Sequence, residues 1–219
     1  MGAYSELSKH FFKDIVQTAR DFGYSESNIL ILLGQENELK TKFPDVYSNL
    51  VSCNHNRDKR TYIEYGRDLV ASWLFEDVLV STLSDNGIEI SLSGADNNRE
   101  ILANTKVSSN SDTTVSYNGH SIPMELMSDY TGYWSRTNKI DLRDDKYWRL
   151  KKTKSLFLGI STVDTKFVLL DFRKEIEHTF FKYYRPYGGK PCRSIPIKPE
   201  DLHHFDTNVL IEQLKEILK

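Results

Sequence analysis

The residues of this chain best placed to do chemistry together are Asp112 and Glu125, two acids on either side of an Asn118-Gly119 pair. An Asn-Gly dipeptide between two β-prone runs favours a two-residue hairpin turn, and such a turn dictates which residues oppose each other. Tyr117 then faces His120, and counting outward pairs Ser116 with Ser121, Val115 with Ile122 and Asp112 with Glu125. Because side chains alternate along a strand, Thr113, Val115, Ile122, Met124 and Leu126 fall on the other, apolar face. Directly opposed side chains sit roughly 4.5–5.5 Å apart at Cβ, and two like charges there cost up to about 1 kcal/mol. A hard divalent cation offsets that repulsion, since Mg²⁺ binds through one or two carboxylates and keeps waters for substrate phosphates.

A third acid, Glu76, falls on the apolar stripe of the helix expected over 61–87, among Leu69, Trp73, Val80 and Leu83. A carboxylate on a buried stripe needs a partner or a metal, because an uncompensated buried charge is expensive.

The elements that must position these acids follow from periodicity. Residues 5–23 read as one helix, with Leu7, Phe11, Phe12, Ile15 and Ala19 in a stripe and Gly23 to end it; 25–43 read as a second, and 44–52 as a short third. After Asn86-Gly87 the period changes to two. Strands are expected at 88–96 and 99–107, in the hairpin, and at 155–161 and 166–172, with an amphipathic helix over 140–152 and a last helix over 207–219. Helices, a strand meander, a crossover helix and two further strands make an α/β fold, a mixed β-sheet flanked by helices behind a helical N-terminal region. The expected division is a helical region over 1–60 and a core over 61–219, in one compact domain.

Composition limits the alternatives. A 219-residue chain with 39% hydrophobic and 27% charged residues is long enough to bury a substantial core, and no run approaches the roughly 18 apolar residues of a membrane helix. The charged N-terminal segment and the two cysteines, Cys53 and Cys192, fit a cytoplasmic protein with free thiols. The six histidines show no zinc spacing with those cysteines, and no glycine-rich phosphate loop occurs. A net charge of −2 provides no global basic field, so contact with nucleic acid would depend on local clusters, namely 54–60 with Arg57 and 182–193 with Arg185, Lys190 and Arg193.

An acid at the start of one strand, a turn, and an acid two residues before a key basic position on the next strand resembles the PD-(D/E)XK nuclease superfamily. In overall character the chain resembles type II restriction endonucleases, over residues of about 61 to 172. The resemblance implies a restriction-endonuclease-like fold and Mg²⁺-dependent, site-specific hydrolysis of double-stranded DNA. Asp112 and Glu125 would be catalytic acids and metal ligands, and Glu76 would be the helix acid. One position departs from the pattern: Met127 stands where lysine is expected, and a thioether neither donates a proton nor carries positive charge. Lys146, on the helix expected after the acidic strand, is the candidate replacement, with Lys139 and Lys106 behind it.

Sequence selectivity needs side chains that reach base edges. Residues 128–139 offer Arg136 and Asn138, with Tyr130, Tyr133 and Trp134 for stacking, although core packing is the better account of Trp134 and Tyr147. Symmetric DNA sites call for a homodimer. Two alternatives remain: a structure-selective nuclease acting on junctions or flaps, and a catalytically inactive DNA-binding protein, which Met127 would favour.

Overall fold

The computed structural model describes residues 2–53, 60–92, 98–102 and 113–219. Asp112, Arg57 and Lys106 lie outside the described residues. The chain forms two compact units, one of Met1–Thr82 with Gly94–Asn110 and one of Leu83–Ser93 with Ser111–Lys219.

The first unit is helical: α1 (Ala3–His10), α2 (Ile15–Asp21), α3 (Glu26–Leu33), α4 (Glu36–Lys42), α5 (Pro44–Cys53) and most of α6 (Tyr62–Asp85). The single helix expected over 5–23 is two, because the Asp14 carboxylate accepts the N–H groups of Val16 and Gln17 and starts a new one. The helix expected over 25–43 is also two. Gly34, at φ 73°, closes α3 in the left-handed conformation that glycine adopts without steric cost. Leu7, Ala19, Ile31, Leu39, Leu50 and Leu74 are buried in this unit.

The second unit carries the sheets: β1 (Glu89–Leu92), β2 (Thr113–Tyr117), β3 (His120–Asp129), α7 (Tyr133–Thr137), β4 (Lys139–Arg143), α8 (Asp144–Thr153), β5 (Leu156–Ser161), β6 (Lys166–Asp171), β7 (Thr179–Phe181), β8 (Cys192–Pro196), β9 (His203–His204) and α9 (Thr207–Ile217). A six-stranded mixed sheet runs β1-β2-β3-β5-β6-β9, and a three-stranded one runs β4-β8-β7. Only the β3–β5 pair is parallel among the described strands, with α7, β4 and α8 forming the crossover that a parallel pair requires.

The hairpin register is the expected one: Tyr117 pairs with His120, Ser116 with Ser121, Val115 with Ile122 and Thr113 with Met124. Both turn residues have positive φ, 50° at Asn118 and 80° at Gly119, which matches the right-handed twist of the flanking strands. A Cβ on Gly119 would meet nothing within 4 Å, so substitution tests backbone strain alone. Gly119→Ala should cost roughly 1–2 kcal/mol in urea denaturation, and Gly119→Asn less, because asparagine tolerates the left-handed region.

Two strand assignments are corrected. Residues 140–143 belong to β4 and the helix begins at Asp144; buried Asp141 between Ile140 and Leu142 masks a strand that is packed on both faces. The strand expected over 99–107 is absent from its described part, 99–102. His203 and His204, which look like a surface pair, form a short strand on β6, with the His203 ring against Phe167.

Trp134, Ile140, Leu142, Tyr147, Leu150, Phe157, Val168 and Ile195 form one buried cluster, so α8 and the small sheet cover the face of the large sheet to which Phe157 belongs. Gly159 lets them approach: a Cβ there would lie 2.9 Å from the Trp134 ring.

Candidate active site

Glu125 lies in the middle of β3, paired with Phe157 of β5, and is 3% exposed. Strand alternation puts Pro123, Met127 and Asp129 on its face, the one covered by α8. In α8, Tyr147 and Leu150 are buried one turn apart and anchor the helix on the core. Asp144 and Asp145 in its first turn and Lys151 and Lys152 in its last complement the helix dipole. That anchoring turns Lys146 and Arg149, three residues apart and so neighbours on the helix surface, toward β3.

The three side chains meet. Lys146 Nζ lies 2.6 Å from Glu125 Oε1, and Arg149 Nη2 lies 3.1 Å from each carboxylate oxygen. A carboxylate buried alone would carry a desolvation penalty of several kcal/mol; two charge-assisted contacts compensate it here. Lys146 and Arg149 remain a quarter to a third exposed, so the cluster opens to solvent on its cationic side. Sequence reasoning singled out Glu125 and Lys146 and missed Arg149, whose spacing from Lys146 was the available signal.

Met127 packs against the buried cluster of the second unit. An apolar side chain suits that position on packing grounds, and the ammonium group approaches Glu125 from α8 instead. Lys139, the other described candidate, lies over the rings of Tyr133 and Tyr184 and 3.7 Å from Asp141.

Glu76 lies in the helical unit, where Arg99 binds it at 3.0 Å and also binds Asp77, which accepts the Tyr24 hydroxyl. The partner that a carboxylate on this stripe demands is thus an arginine. Burial and the Asp77 carboxylate push the Tyr24 phenol well above its ordinary range.

Of the residues expected to contact DNA, Arg136 and Asn138 are exposed at the end of α7, with Arg136 Nη1 donating to the Thr131 carbonyl at 2.6 Å. Tyr130 is half-buried. Arg185 and Lys190 are exposed around a 3₁₀ turn, Arg185–Tyr187. The two segments converge, because the hydroxyls of Tyr133 and Tyr184 lie 3.2 Å apart. Arg193 turns inward: it donates to Asp144 and His178 at 2.5 Å and stacks on Tyr147, Trp148 and Phe180.

Between these segments lies Asp141, 6% exposed, which accepts hydroxyl hydrogen bonds from Tyr133 and Tyr184. Burial opposes ionisation, but those bonds and the nearby Lys139 hold the carboxyl below the ordinary Asp value. A group with a depressed folded pKa stabilises the fold above its unfolded pKa, about 3.9, and loses that contribution as pH falls through the folded value. The urea midpoint of the wild type should therefore fall more steeply than that of Asp141→Asn between about pH 4 and pH 2. Burial raises Tyr184 far above the phenol range, Tyr187 to about 12 and the Cys192 thiol to about 11. Neither Cys53 nor Cys192 forms a disulfide.

Among the described residues no group of three or more His, Cys, Asp or Glu side chains is gathered as a metal site, and no helix is long and apolar enough to cross a membrane. Glu125 supplies hard carboxylate oxygens of the kind Mg²⁺ prefers, and a bound cation would take over from the lysine and arginine that now neutralise them.

No protein-family model and no curated protein matches the sequence. Among solved structures, the chain is similar to the Holliday junction resolvase Hjc of the archaeal hyperthermophile Archaeoglobus fulgidus. The sequence identity is 11% and the TM-score 0.35, over 63% of this chain and 98% of that chain.

Proposed function

We propose that this protein is a Mg²⁺-dependent endonuclease that hydrolyses phosphodiester bonds of DNA. One observation carries the proposal: Lys146 Nζ lies 2.6 Å from Glu125, within reach of the role that the lysine missing from the acidic strand would have had. A carboxylate and an amine held in contact on a buried sheet are the two functions that metal-assisted phosphodiester hydrolysis needs. Glu125 would hold the metal together with Asp112, which is assigned on the sequence register alone; Glu76, the helix acid that the sequence offers, is bound by Arg99 within the first unit. The bound metal supplies Lewis-acid stabilisation of the phosphoryl charge and lowers the pKa of a coordinated water. Lys146 would orient or deprotonate the attacking water, and Arg149 positions the Glu125 carboxylate until the metal takes its place.

DNA would lie against the exposed cations Arg136, Arg185 and Lys190, with Asn138 and Tyr130 as further contacts; Arg57, outside the described residues, is proposed from the sequence alone. Arg193 would act from within, bracing the aromatic surface. Cutting at symmetric sites further implies a homodimer, which light scattering on a target duplex would reveal.

The test is incubation of supercoiled plasmid with Mg²⁺ or with a chelator. Discrete fragments in Mg²⁺ would identify a site-specific enzyme of the type II kind. Cutting confined to branched or flapped substrates would identify a structure-selective one. No metal-dependent cutting of either substrate would overturn the proposal in favour of a DNA-binding protein without catalysis.

A further inference from the structure

One strand repeat from Glu125, roughly 7 Å along β3 and on the same face, Met127 lines a cavity of about 230 Å³ that no part of the proposed chemistry uses. Trp134, Tyr133, Tyr184 and Tyr187 form much of its wall, Asp129 and Asp141 are its charged groups, and Ser128 adds a further polar residue. Aromatic faces beside a methionine thioether make a soft, flat-sided slot, suited to a planar ring.

The polar inventory of the cavity is one-sided. The Tyr133 and Tyr184 hydroxyls both donate to Asp141 Oδ2, and the Tyr187 hydroxyl donates to the Asp141 carbonyl at 2.5 Å. With their protons spent on Asp141, all three phenols present only oxygen lone pairs. Asp141 Oδ1 is buried, and the Ser194 hydroxyl also serves this carboxylate. The cavity is thus rich in acceptors and poor in donors, and a ligand that fits it must donate. Lys139, 3.7 Å from Asp141, compensates that carboxylate, and Asp129 spends both its oxygens on Thr131 and on the Trp134 N–H, so a neutral donor fits better than a cation. A planar, neutral ring bearing N–H donors describes a nucleobase with an exocyclic amino group. A carboxylate accepting from the cytosine amino group is one of the standard side-chain–base pairings.

We propose that this cavity receives a single unstacked nucleobase that carries an exocyclic amino group, cytosine in preference to thymine. The inference rests on the nucleic-acid reading above but not on cleavage. It also gives Met127 a role: apolar contact with a base where lysine would have carried charge. Extruding a base from a duplex costs a few kcal/mol and costs least from single strands, so single strands are the sensitive probe.

The experiment is a titration of the full chain, in chelator so that no cutting intervenes, with decamers of deoxycytidine and of thymidine. Tryptophan fluorescence is the readout, because Trp134 lines the cavity. The deoxycytidine decamer should bind at least fivefold more tightly and quench more strongly; equal affinity or a preference for thymidine overturns the proposal. Asp141→Asn replaces one acceptor oxygen with an amide donor, and should bring the preference below twofold or reverse it; an unchanged preference also overturns the proposal. Should that variant lose its near-ultraviolet circular dichroism, the wild-type comparison decides, and Tyr184→Phe provides the second variant, expected to weaken the preference. Equal binding of both decamers by a chain that cuts plasmid would sink the cavity assignment alone. A deoxycytidine preference without any metal-dependent cutting would sink only the nuclease.

Discussion

Replacing Lys146 with methionine should lower Mg²⁺-dependent DNA cleavage by roughly a hundred- to ten-thousand-fold, the usual contribution of a positioned proton-transfer group. The fold should survive the change. Lys146 is a quarter exposed, and Arg149 still contacts both oxygens of Glu125, so the buried carboxylate keeps a cationic partner. A partly exposed ion pair is worth at most about 1 kcal/mol, and urea denaturation should show no more than that. Glu125→Gln should abolish cleavage as well, with DNA retention in a gel shift unchanged, since the cations it releases are already partly in solvent. If Lys146→Met cuts at the wild-type rate, Lys146 is a structural counter-ion only, and the role proposed for it falls.

The second large effect is on stability. Phe157 is fully buried in the face of β5 beside Glu125 and packs against Trp134 at a ring-centroid distance of 6.5 Å. Phe157→Ala should cost about 3–5 kcal/mol, the loss of transfer free energy plus the cavity left behind. Chemical denaturation followed by tryptophan fluorescence would measure it, and a cost under about 1 kcal/mol would mean that the second unit is not organised around this cluster. The two substitutions separate cause from support: Lys146→Met should remove activity at nearly constant stability, whereas Phe157→Ala should remove stability from the scaffold that places Glu125.

Much of the scaffold was legible in the chain. The hairpin register followed from Asn118-Gly119 because that pair favours a two-residue turn with both residues at positive φ, whose twist matches the strands, and that constraint is local. The alternation of Val115, Ile122 and Met124, the long α6 and the C-terminal α9 were equally local patterns. The approach of Lys146 to β3 was legible too, since it required only that a helix follow the acidic strand and fold back over it.

Other features depended on tertiary contacts. Helix breaks at Asp14 and Gly34 come from single capping groups that compete with an unbroken apolar stripe. The three-stranded sheet joins β4 to β7 and β8 across some fifty residues, and no spacing rule reaches that far. Asp141 looks like a surface acid until tyrosines from distant segments donate to it, and Arg193 looks like a surface cation until three rings and Asp144 enclose it. Strand and turn identities were set by the residues nearest in sequence, whereas the partners of the buried charges were set by packing between elements far apart in it, because each charge takes whichever opposite group the fold brings into contact.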